Sequence, residues 1–271
     1  MLAFAANSVL NRMAVAAGLI DPVSYAVIRL AAGALMLAIL VLARRAWRGG
    51  AVWPGVPGRL AGVGGLLTYL FGFSVAYLSL DAGTGALILF GLVQITMFAG
   101  ALMAGDAVPL SRWAGAVLAF VGLLVLIAPG GSIGAVGPVA AMGLAGAGWG
   151  VYSLAGRGAD DALLATAANF GLALPVAVVV GLILGLGAMV QPLGVWLAVV
   201  SGAVTSGLGY ALWYGLVPRL GAARAGVAQL TVPVLAAAGG AVLLGEGVSL
   251  RFGIAAALVL GGVALASFAR R

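Results

Sequence analysis

Apolar runs of about twenty residues recur along the whole chain, separated by breaks of only a few residues. That length is what an α-helix needs to cross a hydrocarbon core about 30 Å thick. A barrel strand would instead show about ten residues of alternating character, and these runs do not alternate. The chain therefore reads as an all-α integral membrane protein with the lipid bilayer as its first partner. Composition agrees: 64% of residues are hydrophobic and 7% charged, against roughly 25% charged in a soluble domain. So few charged groups could not cover a soluble fold of 271 residues.

The pattern predicts ten spans, near 2–18, 22–43, 60–80, 83–104, 110–128, 137–155, 162–184, 192–216, 221–244 and 249–268. Turn chemistry marks the breaks, as in Asp21-Pro22, Trp53-Pro54-Gly55, Pro129-Gly130-Gly131 and Gln191-Pro192. All thirteen basic residues are arginine, and the net charge is +7. In a soluble chain that balance would suggest nucleic acid. Here the arginines fall mostly in alternate breaks, so no nucleic acid is implied and the bias sets orientation. Arg44, Arg45, Arg48 and Arg59 flank one break, and Arg112, Arg157, Arg219, Arg224, Arg270 and Arg271 lie on the same side. Asp21, Asp81, Glu246 and Arg251 lie on the other. Both termini are thus expected in the cytoplasm. No cleavable signal peptide is visible, since Met1 leads straight into a span. The absence of Cys and His removes disulfides, thiol chemistry and histidine metal sites; no metal or other cofactor is expected.

Two pairs of segments suggest an internal repeat. FAANSVLNR (Phe4–Arg12) lies over WGVYSLAGR (Trp149–Arg157), so that Phe4 meets Trp149, Ser8 meets Ser153 and Arg12 meets Arg157. GDAVPL (Gly105–Leu110) lies over GEGVSL (Gly245–Leu250) at nearly the same offset. The repeat divides the chain into halves 1–131 and 132–271, each of five spans. With an odd number of spans, the second half must enter the membrane from the opposite side. The result is two inverted five-helix repeats around a central cavity, an architecture of many secondary transporters.

Two five-span halves, Asp-Pro after the first span, and a Gly-acid turn after the fourth and ninth carry a family resemblance. So do GTGALILFGLVQ in the fourth span and QLTVPVLAAAGGAVLLGE in the ninth. Together they resemble the EamA type of the drug/metabolite transporter superfamily, over essentially the whole chain. The resemblance implies a bacterial cytoplasmic (inner) membrane protein that exports small metabolites, with exporters of aromatic and other amino acids as the likeness nearest to hand. It also implies a cavity lined by the first, third, fourth, sixth, eighth and ninth spans. Family members usually begin the first span earlier, with a Trp-Gly pair. Ala3-Phe4-Ala5 stands at that place here, so a trimmed N-terminus is expected.

Polar side chains are costly in hydrocarbon and face a cavity or a partner helix. On that ground the substrate-binding candidates are Asn7, Asn11, Tyr77, Gln94, Trp149, Tyr152, Ser153, Tyr210, Trp213 and Gln229. Ser8, Tyr69, Ser74, Thr96, Tyr214 and Thr231 are further midspan groups. Trp149, Tyr152 and Ser153 share one helical face, and Tyr210, Trp213 and Tyr214 repeat the spacing. Aromatic walls with a few amides suit a small amphiphilic solute, and ring faces can hold an ammonium group. The plainer alternatives are interhelical hydrogen bonds for the amides and interfacial belts for the rings. Arg12 and Arg29 read either as snorkelling or structurally paired ions, with Asp21 in the loop between them as a partner for either, or as a carboxylate contact near the outer gate.

No Asp, Glu, Lys or His falls midspan. That disfavours proton coupling through a titrating intramembrane group, a dedicated cation carrier, a phosphate carrier and an intramembrane enzyme; no catalytic residue is assigned. A small-molecule exporter of neutral or zwitterionic solutes remains, and a broad exporter of drugs or toxic cations on the same fold is the alternative. No feature sets the oligomeric state.

Overall fold

The computed structural model describes residues 1–54, 59–105, 109–128, 136–157, 159–213, 215–216 and 228–267. Ten helices are found among them. They are α1 (Leu2–Ala16), α2 (Pro22–Arg48), α3 (Leu60–Ala76), α4 (Ala82–Met103), α5 (Leu110–Ile127), α6 (Val136–Ala155), α7 (Ala162–Leu184), α8 (Pro192–Trp213), α9 (Thr231–Leu244) and α10 (Leu250–Ser267). Five of these, α2, α4, α5, α7 and α8, are long and apolar enough to cross a membrane unaided. The chain is a multi-pass membrane protein.

Most predicted spans coincide with a helix, and the differences have local causes. α2 continues to Arg48, five residues beyond the predicted end, because Arg45 and Arg48 in its last turn favour the negative end of the helix dipole. α3 stops at Ala76, and Tyr77–Leu80 forms turns instead. α1 has only 15 residues, roughly 22 Å of helix. The predicted start of the ninth span and the boundary between the halves at 131 lie outside the described residues. So do Arg219, Arg224, Arg270 and Arg271.

The packing pairs helices five apart in order. α2 packs on α7, α4 on α9 and α5 on α10. Other contacts come in matched sets: α3–α6 with α8–α1, α4–α6 with α9–α1, and α2–α8 with α7–α3. The starts of α2 and α7 match as well. Asp21 caps α2 by accepting the Ser24 N–H at 2.8 Å, and Asp161 caps α7 by accepting the Leu164 N–H at 3.0 Å.

Glycine sets how closely these helices approach. A methyl group on Gly65 of α3 would stand 2.6 Å from the Gly148 carbonyl of α6, and one on Gly148 would stand 2.7 Å from the Gly65 carbonyl. The two backbones touch, as small residues allow in membrane bundles.

Both ends carry polar ties. At one end an isolated antiparallel bridge joins Ile20 to Val190, and Asp21 also accepts the Met189 N–H. At that same end Arg12 meets Glu246 at 2.9 Å and Asp81 at 3.7 Å. At the opposite end Arg44 holds Asp161 through two bonds, and Arg59 reaches the Ala165 carbonyl and Asn169. Among the described residues, Asp21, Asp81 and Glu246 thus lie at one end and Arg44 and Arg59 at the other, as the arginine pattern separated them. Neither Arg12 nor Arg29 pairs with Asp21; Arg12 is a structural ion, as expected, but its partners are Glu246 and Asp81. Asp21 is already taken by backbone N–H groups.

Candidate functional site

The central cavity is lined by Phe4, Asn7 and Ser8 of α1, Tyr69 and Phe73 of α3, Leu89 and Phe90 of α4, Trp149 of α6, Tyr210 of α8, and Gln229 just ahead of α9. It therefore lies between two groups of three helices. One is α1, α8 and α9; the other is α3, α4 and α6. Each group draws helices from both halves of the sequence.

A connected set of rings forms the wall. Trp149 stands at the centre, stacked on Tyr152 at 5.1 Å, tilted against Tyr69 at 4.9 Å and against Tyr210 at 5.2 Å. Phe4 meets the edge of Tyr210 at 5.6 Å and of Trp213 at 5.9 Å. Phe73 continues the set from Tyr69 to Tyr77. Such pairs each add about 0.5–1.5 kcal/mol beyond burial, which fixes the ring positions. The side chains nearly fill the space. The free interior volume is ≈ 20 Å³, room for roughly one water.

Of the ten candidates from the sequence, the structure brings four to the cavity: Asn7, Trp149, Tyr210 and Gln229. Asn7 has a second task. Its Oδ1 accepts from Ser201 at 2.5 Å and Thr205 at 2.9 Å, and its Nδ2 donates to Ser206 at 3.3 Å. All three hydroxyls sit on a π-helical stretch of α8, Ser201–Leu208. Such stretches are often found at functional sites.

The other six lie off the lining. Asn11 donates to Ser74 at 3.1 Å and ties α1 to α3. Tyr77 is buried and donates to the Ala82 carbonyl at 3.3 Å. Tyr152 supports Trp149 from behind and reaches Thr166. Ser153 turns back to the Trp149 carbonyl at 2.7 Å. Trp213 braces Phe4, and Gln94 stands half-buried on α4. Tyr214 lies outside the described residues.

The candidate set left out Phe4, Ser8, Tyr69, Phe73, Leu89 and Phe90. Ser8 and Tyr69 were visible as midspan polar groups, and Phe4 as the repeat partner of Trp149. The remaining three are ordinary apolar residues with no sequence signal. Arg29, read from the sequence as a structural ion or a carboxylate contact near the outer gate but not among the ten candidates, is 0% exposed. Its Nη2 donates to the Tyr69 hydroxyl at 2.7 Å and its Nε to Ser206 at 3.2 Å. A midspan basic group thus stands just behind the lining, deeper than the outer-gate position expected for it.

At the end marked by Asp21 and Glu246 a polar network ties the helices together. Arg12 Nε holds Glu246, its Nη1 donates to the Tyr77 and Leu78 carbonyls at 3.1 Å, and Glu246 accepts the Ala82 N–H at 2.8 Å. This network joins α1, the α3–α4 turn and the α9–α10 turn. Among the described residues no group of His, Cys, Asp and Glu could hold a metal ion.

Among the described residues, ten helices pair across the middle of the chain around an aromatic cavity. The profile of the EamA-like transporter family matches residues 137–268. The chain belongs to the EamA-like transporter family. Across nearly its full length it is also similar to the uncharacterized protein PA1977 of Pseudomonas aeruginosa, with 45% identity over 98% of this chain and 91% of the relative. A crystal structure of a protein 26% identical to it superposes with a TM-score of 0.67, over 98% of this chain and 95% of the other. The chain is thus an EamA-like membrane transporter.

Proposed function

We propose that this EamA-like transporter exports small amphiphilic metabolites, chiefly amino acids including aromatic ones, by alternating access at the aromatic cavity. One observation carries this reading. The cavity walls are rings centred on Trp149, with amide and hydroxyl groups from Asn7, Ser8 and Gln229 beside them. Rings accept an apolar or aromatic side chain, and a ring face also attracts an ammonium group. Amides and hydroxyls supply the few fixed polar contacts that orient a small ligand.

The moving parts in this proposal are the α1–α8–α9 and α3–α4–α6 groups rather than the two halves of the sequence. The cavity lies on the seam between these groups. Closure at the Arg12–Glu246 end leaves the opposite end as the route in. With that opposite end in the cytoplasm of a bacterial inner membrane, as the arginine pattern implies, a solute enters from inside and leaves when the Arg12–Glu246 network opens.

Aromatic walls also favour a second reading, export of lipophilic cations. The buried guanidinium of Arg29, in contact with two of the lining rings, opposes it by like-charge repulsion. Proteoliposomes loaded with an amino-acid panel test the proposal. Phenylalanine and related amino acids are expected to leave without an imposed pH gradient, and lipophilic cations to compete weakly. Strict dependence on a pH gradient would overturn the uncoupled mechanism. Efflux of cations with no amino-acid efflux would overturn the substrate class.

A further inference from the structure

Among the described residues, Arg29 is the bulkiest side chain with no effective solvent exposure. It lies roughly 10 Å along α2 from Pro22, well inside the hydrocarbon. Among the described residues, all of its contacts are neutral. Beyond the bonds to Tyr69 and Ser206, its guanidinium carbon sits 5.1 Å from the Tyr69 ring centre and 5.0 Å from that of Phe73. Among the described residues, the ion pairs join Arg12 to Asp81 and Glu246, and Arg44 to Asp161, leaving Arg29 without an acid. Its Nη1 is buried and donates to nothing among the described residues.

That arrangement is expensive. Arginine stays charged in proteins, and a buried ion without a counter-ion costs several kcal/mol. Cation–π contact and two neutral hydrogen bonds return part of this. If the only task were to tie α2 to α3 and α8, a neutral amide would do it at less cost, as Asn7 and Asn11 do for α1. What stands here instead is a positive charge with an unused donor. It touches the cavity wall directly: Tyr69 and Phe73 line the cavity, and Asn7 shares the Ser206 hydroxyl with Arg29.

We infer that Arg29 is the receptor for a carboxylate on the transported solute. This rests on the amino-acid reading above and names the group that recognises one end of the substrate. As the two helix groups part, Tyr69 yields its hydrogen bond, and the carboxylate accepts from Nη1 and Nη2 in the two-donor geometry that guanidinium offers. The ring faces of Trp149 and Tyr210 are left for the ammonium end. A single guanidinium matches one negative charge. A phosphate dianion would need a second cation, and the described lining has none.

Matched ligand pairs test this in purified protein reconstituted into nanodiscs, read by ligand-induced thermal shift and titration calorimetry. The pairs are phenylalanine with phenylalaninamide, and 3-phenylpropionate with 3-phenylpropanamide; inorganic phosphate is the third probe. Wild type is expected to bind each carboxylate at least about tenfold more tightly than its amide. Arg29→Gln is expected to lose that preference while keeping its amide affinity, and Arg29→Lys to keep part of it. An unchanged preference in folded Arg29→Gln, no preference in wild type, or tighter binding of phosphate than of either carboxylate would overturn the inference. Should Arg29→Gln fail to fold, Tyr69→Phe decides. Freeing Nη2 is expected to strengthen carboxylate binding relative to amide, and no gain overturns the inference. The two readings separate cleanly. Arg29-dependent binding of 3-phenylpropionate without binding of phenylalanine supports the carboxylate receptor and removes the amino-acid assignment. Phenylalanine efflux with an unchanged carboxylate preference in Arg29→Gln does the reverse.

Discussion

Gly65→Ala adds one methyl group where α3 crosses α6, and the structure sets its consequence. The new carbon would stand 2.6 Å from the Gly148 carbonyl oxygen, 2.9 Å from the Tyr152 nitrogen and 3.3 Å from its Cα. Ordinary contact begins at 3.4 Å, so the helices must separate by about 0.8 Å at that point. All three obstacles are backbone, and no side chain can rotate away. Overpacking of this kind costs about 1–3 kcal/mol. For a chain of this length that is a fall of roughly 2–12 °C in thermal midpoint. Gly148→Ala meets the same gap from the other side, so the double variant is expected to lose less than the sum of the two. Gly64 and Gly143 provide controls on the same helices, because a methyl on either meets nothing within 4 Å. Their alanine variants are expected to be neutral or to gain up to about 1 kcal/mol from helix propensity. The assay is thermal unfolding in nanodiscs, followed by efflux. Tyr69 lies one turn from Gly65 and Trp149 adjoins Gly148, so efflux is expected to fall with stability in the crossing variants. If Gly65→Ala proves as stable as Gly64→Ala, the close crossing is refuted.

The remaining predictions use other parts of the bundle. Trp149→Ala is expected to cut phenylalanine efflux more than about tenfold through loss of the central ring. Ser153→Ala, whose hydroxyl only turns back to its own helix, should leave efflux within about twofold of wild type. Arg12→Gln removes the tie to Glu246 and Asp81. Because the native chain has no cysteine, a Ser8→Cys label can report the opening: a membrane-impermeant maleimide added from outside should react severalfold faster in the Arg12→Gln background, and equal rates would mean the network does not hold that end shut. For pH, Arg44 first and the capped Leu164 N–H next hold the Asp161 carboxyl below its ordinary value of 3.8. A depressed carboxyl stabilises above its ordinary value and loses that contribution as pH falls through the folded one. Asp161→Asn should therefore lower the thermal midpoint at neutral pH, with the gap to wild type shrinking below about pH 4; a gap constant down to pH 3 would contradict the pairing.

Much of the frame was legible because its signal is local. A run of twenty apolar residues means a span whatever it packs against, and turn residues punctuate the spans. The expected repeat rests on short matches. A further one was present but unread, the aspartates at 21 and 161 that cap α2 and α7 alike. The site was legible only where a residue type is rarely placed without a reason, as with Trp149 and Tyr210. Helical spacing put Ser153 on the same face as Trp149, yet its hydroxyl bonds to the carbonyl one turn back. Spacing cannot choose between that bond and the cavity. The surroundings of Asn7 were hidden for another reason: its partners lie 194 to 199 positions away and depend on a π-helical stretch. Arg29 was hardest of all. Nothing near it in sequence shows that its companions are Tyr69, Phe73 and Ser206, so a loop aspartate eight residues away stood in for them.

Counterflow tests the central claim, that the aromatic cavity carries amino acids across the membrane. Liposomes preloaded with unlabelled phenylalanine are diluted into a trace of labelled phenylalanine, with no ion gradient imposed. Wild type is predicted to accumulate label transiently, and Trp149→Ala at equal protein content to accumulate almost none. Absence of wild-type counterflow, or equal counterflow in the two, would contradict it.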